Sequence, residues 1–199
     1  MIDTVLSELN ERAERDVLEP ALLRETVDGY VRMAGLADKL LAERLDTVGN
    51  LAARIGAAMH LPRTVVLNTE FSARLHDIGM LSVPKERGLK THSLIGESFL
   101  RATPALAHLA PIVRSHHERH DGSGFPDGLR GEEIPLESRI ISVAAAFTDL
   151  VTETSRHKAL PPQDACQELA SHTGSKFDPD VVTATLQLLH FRQRTNRSA

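Results

Sequence analysis

Apolar side chains recur at three- and four-residue steps through most of this chain, and no run alternates apolar with polar residues long enough to make a core strand. That pattern predicts an all-α fold. Residues 3 to 18 and 21 to 43 read as two helices separated at Pro20, with Leu22, Leu23, Val27, Tyr30, Val31, Leu36, Leu40 and Leu41 on the spacing. Val48, Leu51, Ala52, Ile55 and Met59 repeat it over Asp46 to Met59, Pro62 closes that segment, and a further helix runs from Arg63 toward His76. Arg139 to Phe147 is so apolar that it is expected as the buried central helix of the second half. Pro161-Pro162 open a helix through Ala165, Cys166 and Leu169, and Asp178 followed by Pro179 caps and starts the last one, which runs to about Arg192.

With 199 residues the chain is one large domain, or one domain with an extension. A net charge of -4 with interspersed signs gives no basic footprint for duplex nucleic acid, and 4% aromatics without tryptophan leave few platforms for single strands. The lone cysteine, Cys166, excludes a disulfide framework or a cysteine-built zinc cluster within one chain and reads as core packing. The acidic, amphipathic start lacks an apolar leader segment, and no stretch approaches the ~18 uninterrupted apolar residues of a membrane span. A soluble cytoplasmic protein is expected.

Chemistry is concentrated in two places. His116-His117-Glu118-Arg119-His120-Asp121-Gly122-Ser123-Gly124-Phe125-Pro126 gathers three imidazoles, two carboxylates, two glycines and a proline, and five of the ten histidines fall between 92 and 120. Paired histidines at a helix end beside a glycine loop suit a metal and a phosphate. The second place is Leu75-His76-Asp77-Ile78-Gly79, where neighbours about 100° apart on a helix reach adjoining positions and Gly79 is expected to end that helix. A capping aspartate beside a core histidine is the plainer reading of that pair alone. Lys85, Arg87 and Lys90 in the next loop could draw a phosphate or simply be solvated, and His108 reads as packing.

Taken in order, Leu75 to Gly79, His92-Ser93-Leu94-Ile95-Gly96, His116 to Arg119, Asp121 to Pro126, Gly131-Glu132-Glu133-Ile134-Pro135-Leu136, Arg139-Ile140-Ile141 and Phe177-Asp178-Pro179 resemble the HD-GYP domain. That family is an all-helical branch of the HD phosphohydrolases. The resemblance implies an HD-type helical bundle over residues 44–191, with an amino-terminal helical extension over 1–43 and a polar tail over 192–199. It further implies a bacterial signalling domain of the cyclic di-GMP phosphodiesterase class, using iron or manganese ions that activate water and neutralise phosphodiester charge. Carried over by position, His76 and Asp77 are the catalytic pair and the first metal ligands, with Asp77 bridging. His92 and His116 hold a second ion, and His117 serves a third ion or supports the others. Gly122, Gly124, Phe125 and Pro126, with Phe125 in the place of the family's tyrosine, and Lys158 are the substrate-binding candidates.

The chain also departs from the pattern. Arg44 stands where the family's first histidine is expected, with Asn50 as the alternative under a shifted alignment. Met80 replaces a lysine, Ala145 replaces a ligand aspartate, and Thr154-Ser155-Arg156 replaces an Arg-Pro-Tyr segment. The remaining ligands suffice for one ion or for none, unless Asp149 or Glu70 substitutes. Two functions follow: a metal-dependent phosphohydrolase with a partly degenerate centre, acting on cyclic di-GMP or a related nucleotide, or a catalytically silent module that binds a nucleotide or a signalling protein. The amino-terminal helices could also mediate a homodimer.

Overall fold

The computed structural model describes the backbone of residues 2–83, 90–153 and 158–196, and side chains from residue 20 to 189. Eight α-helices are found there: α1 (Ile2–Ala37), α2 (Lys39–Ala58), α3 (Arg63–Leu75), α4 (His92–Arg101), α5 (Ala110–Arg114), α6 (Leu136–Val151), α7 (Pro162–Ser171) and α8 (Pro179–Asn196). Among the described residues there is no strand beyond an isolated bridge between Thr173 and Phe177. The all-α expectation holds.

Three boundaries differ from the periodicity reading, one of them the end of α8, which runs to Asn196 and so takes in the first residues of the expected polar tail. α1 runs through Pro20; the ring's fixed φ is itself helical, so a proline removes one hydrogen bond without having to end the helix. The break falls at Asp38, whose extended backbone starts α2 and whose side chain accepts from the Leu41 amide at 3.1 Å. The separate segment expected from Asp46 is therefore part of one longer helix, and Arg44 sits inside it.

α2 is the packing centre of the first half. Leu45, Val48, Leu51, Ala52 and Ile55 are buried on one face, and each fully buried aliphatic side chain contributes roughly 1.5–3 kcal/mol. A Cβ on Gly49 would meet the Arg74 side chain at 2.3 Å, so the glycine lets α3 lie close. Arg74 in turn reaches Asp46 at 2.7 Å and pairs with Asp28 of α1. α1 is fastened a second time by Arg24 on Glu70, at 2.6 Å, and its Val27, Val31 and Ala34 enter the core. α6 fills the middle, with Ile140, Ile141, Val143 and Ala144 fully buried.

The carboxyl-terminal helices are set by Asp178. It accepts from the Asp180 and Val181 amides at 2.8 and 3.2 Å, capping α8 as expected, and its other oxygen pairs with Arg139 of α6. Cys166 is buried, also as expected.

Burial opposes ionisation of Asp178, but Arg139 and the α8 amides hold its carboxyl below the ordinary aspartate value. A lowered folded-state pKa gives stability that is complete above the unfolded value near 4 and is lost as pH falls through the folded one. Asp178→Ala, which strands Arg139 and uncaps α8, should cost about 3–5 kcal/mol in urea denaturation at pH 7. Asp178→Asn should cost less and should flatten the loss of stability below pH 4.

Candidate metal centre

The site is assembled from the ends of α2, α3, α4, α5 and α6. α3 stops at Leu75, so His76 and Asp77 lie on its exit rather than on the helix; Asp77 has φ −104 and ψ 11 and begins a 3-10 turn over Ile78–Ser82. Gly79 lies inside that turn and does not end α3 in a left-handed conformation as expected. A Cβ there would meet the His92 carbonyl oxygen at 2.1 Å. The glycine is required because α4 begins directly against the turn, and that approach brings His92 to Asp77.

Three imidazoles meet one carboxylate. His92 Nε2 stands 3.2 Å from His116 Nε2 and 3.0 Å from His117 Nε2. Asp77 Oδ1 lies 3.0 Å from His92 Nε2 and 3.7 Å from His116 Nε2. One donor atom from each of the four residues falls within 4.8 Å of the others. His116 donates through Nδ1 to the Val113 carbonyl at 2.6 Å, which leaves the Nε2 lone pair facing the group. Nitrogens bound to a divalent cation at about 2.1 Å and at right angles stand about 3.0 Å apart, so the donor set fits an ion such as iron, manganese or zinc.

The electrostatics agree with a cation site. Burial, with His116 and His92 alongside, pushes the His117 pKa down to about 2. Burial lowers His116 as well, against the pull of Asp77. Both imidazoles therefore face the group as lone-pair donors. Burial would raise Asp77, yet the imidazoles of His76, His116 and His92 hold it well below the usual carboxylate range.

The other Asp77 oxygen, Oδ2, faces a different partner. Arg44 of α2 pairs with it, and the same Arg44 Nη1 lies 2.8 Å from His76 Nε2. His76 donates through Nδ1 to the Ala73 carbonyl at 2.6 Å, so its Nε2 accepts from the guanidinium. The rest of the fork grips Asp149 of α6 at 2.8 and 3.1 Å. Burial opposes Arg44's charge, but Asp149 and Asp77 together raise its pKa.

The loop after α5 is held from below by Glu118, a residue whose role the sequence did not reveal. Buried, it accepts from the amides of Asp127 at 2.7 Å, Gly128 at 3.1 Å and Leu129 at 3.1 Å. A Cβ on Gly124 would meet the Arg119 nitrogen at 2.4 Å, and Gly122 has φ +80; both glycines therefore have a packing or backbone reason of their own. Phe125 precedes the cis bond to Pro126 and stacks on His117, ring centroids 4.8 Å apart at 22°. Arg114 links Glu97 of α4 to Asp127 of the loop.

Other expected residues lie apart. Lys158 is exposed in the connection from α6 to α7. Glu70 is taken by Arg24, and Asn50 donates to the Asp46 carbonyl on an exposed face. His108 is exposed and lines an apolar groove of about 500 Å³ with Leu22, Leu67 and Phe71, which contains none of the site residues. Lys85, Arg87 and Thr154-Ser155-Arg156 fall outside the described residues.

Comparison with known proteins gives the same frame. Residues 85–181 match the HD domain family. A cyclic di-GMP phosphodiesterase of Thermotoga maritima is 34% identical over 72% of this chain and 43% of its own length. A cyclic di-GMP phosphodiesterase response regulator of Xanthomonas campestris is 31% identical over 92% and 50%. The chain thus spans about half the length of these curated relatives. Among solved structures, a cyclic GMP-AMP specific phosphodiesterase of Vibrio cholerae aligns with a TM-score of 0.63 at 21% identity, over 75% of this chain and 44% of that one. An HD-GYP-type protein of Bdellovibrio bacteriovorus aligns with the same score and identity, over 77% and 53%.

If Gly79 sets the distance between Asp77 and His92, Gly79→Ala should lower Mn²⁺ affinity by about 10–100-fold, the scale of losing a ligand's support. Calorimetric titration reads this directly, and far-UV circular dichroism should show the helices retained. On these matches and this fold, residues 85–181 are an HD domain by the family match, and the chain as a whole resembles the HD-GYP branch of that family.

Proposed function

We propose that this chain is a metal-dependent phosphohydrolase domain of the cyclic di-GMP phosphodiesterase class, working with a reduced centre. The observation that carries the reading is the convergence of His92, His116 and His117 Nε2 on Asp77 Oδ1. The names of the relatives supply the substrate class, a cyclic dinucleotide. Asp77, His92, His116 and His117 would hold a divalent ion, iron or manganese in this reading, which would supply water activation and offset charge on the phosphodiester.

The protein's own groups do the rest. Asp77 and the three imidazoles fix the ion, and the carbonyls of Val113 and Ala73 orient the rings of His116 and His76. Arg44 keeps positive charge beside Asp77 and, as the partner of both carboxylates, holds Asp77 in one orientation. Phe125, stacked on His117 and partly exposed, offers a flat apolar face beside the centre on which a base can lie. Gly122, Gly124 and Pro126 shape the loop that presents that ring, and Lys158 is the remaining candidate for a phosphate contact.

The unit that carries the chemistry is taken as residues 44–191, with 1–43 as a helical extension packed on it and 192–199 as a polar tail. No described helix is long and apolar enough to cross a membrane; a cytoplasmic, bacterial setting is part of the proposal, and the relatives named above are bacterial. Met33, Leu36 and Leu40 are exposed at the junction of α1 and α2, which accords with a homodimer. A second reading, a silent nucleotide- or protein-binding module, is favoured by one observation: Arg44 occupies the side of Asp77 that faces His76 and Asp149.

Elemental analysis of protein purified without chelator, followed by cyclic di-GMP turnover with added Mn²⁺ or Fe²⁺, separates the two. The phosphohydrolase reading expects bound metal and turnover that falls by at least about a thousandfold in Asp77→Ala, a loss of about 4 kcal/mol in transition-state stabilisation. A folded protein with neither metal nor turnover contradicts it and leaves the silent module.

A further inference from the structure

Asp77 has two oxygens, and the structure gives them different surroundings. Oδ1 faces the three converging Nε2 atoms, whereas Oδ2 faces a second donor set made of His76 Nε2 and the Asp149 carboxylate. One imidazole nitrogen and two carboxylates are cation ligands by type, but with the guanidinium among them their donor atoms are held apart: among the described residues only Asp77, His92, His116 and His117 bring ligand atoms within 4.8 Å of one another. In this protein the space among them holds the Arg44 guanidinium, which touches all three residues at once.

We infer that Arg44 is a built-in cation that takes one of two adjoining cation positions, and so restricts the centre to a single exchangeable ion on the Oδ1 side of Asp77. The inference rests on the metal-centre reading above. Paired metals in hydrolytic sites stand about 3.5–4 Å apart and share a carboxylate between them. An ion bound to Oδ2 at that distance would have to occupy the place of the Nη1 that pairs with the same oxygen. Sterics and like charge both exclude it.

The arrangement is more than an ordinary surface ion pair. Arg44 comes from α2, His76 and Asp77 from the exit of α3, and Asp149 from α6, so one side chain on a third element gathers donors from two others. Its planar fork meets the Asp149 carboxylate with two bonds and still turns Nη1 toward a histidine lone pair. That lone pair is aimed there by the hydrogen bond from His76 Nδ1 to Ala73. Arg44 therefore supplies, without exchange, one positive charge where a second divalent ion would bring two.

The test is the number of ions bound, not activity. Full-length wild type and Arg44→Ala are stripped with chelator, titrated with Mn²⁺ and counted by electron paramagnetic resonance of the free ion. Wild type should bind about one ion per chain and Arg44→Ala about two, since removing the guanidinium opens a site of His76, Asp77 and Asp149. Mn²⁺ should also raise the melting temperature of Arg44→Ala by more than that of wild type. Arg44→His, which fills the same space with a neutral donor, should again bind two and serves if Arg44→Ala does not fold; Arg44→Lys should stay at one. Two ions on wild type, or one ion on all four proteins, overturns the inference and leaves the metal-centre reading standing. No ion on wild type removes that reading and, with it, the inference that rests on it, whatever Arg44→Ala binds.

Discussion

The structure depends on keeping one carboxylate ionised in a largely buried place. Asp77 is surrounded by His76, His92 and His116, and desolvation alone would drive its proton back on. Two kinds of partner prevent this. Arg44 and His76 stand at Oδ2, and His92 and His116 gather at Oδ1. The exit of α3, the start of α4 and the exit of α5 deliver His76, His92, His116 and His117, while Arg44 reaches in from within α2 and is held there by Asp149 of α6, so the architecture can be understood as the delivery of five side chains to one aspartate.

That delivery needs close backbone approaches, which explains why small residues sit where they do. Gly49 admits Arg74 between α2 and α3, and Gly79 admits the start of α4. Gly124 allows the loop to fold back on Glu118, whose carboxylate holds three loop amides. None of these residues touches the converging donor atoms. Each fixes a close approach: a larger side chain at Gly79 would shift His92, one at Gly124 would shift the loop that carries Phe125, and one at Gly49 would displace Arg74 and the packing of α3 on α2.

Much of this was legible in the sequence. Period and composition disclosed the helices, and Asp178-Pro179 disclosed a cap that the structure bears out. His92, His116, His117 and Asp77 were all named in advance and do come together. Pro20 misled because an interior proline costs a helix about 3 kcal/mol without always ending it, and Val27, Val31 and Ala34 pack the following turns into the core; Asp38 was the real boundary. The decisive pairing of Arg44 with Asp149 could not be read, because the two stand on helices far apart in sequence and neither is unusual alone. Glu118 was hidden for a related reason: its partners are backbone amides, which have no residue-type signature.

The relation between the two sides of Asp77 is therefore the centre of the account: an exchangeable ion on one oxygen, a fixed guanidinium on the other. The most direct measurement is an anomalous-difference map from a crystal of the protein soaked in Mn²⁺. A single peak bounded by Asp77 Oδ1 and the Nε2 atoms of His92, His116 and His117, with Arg44 still on Asp149, is the predicted result. A peak between His76 and Asp149 with Arg44 displaced, or no peak at the four donors, would contradict it.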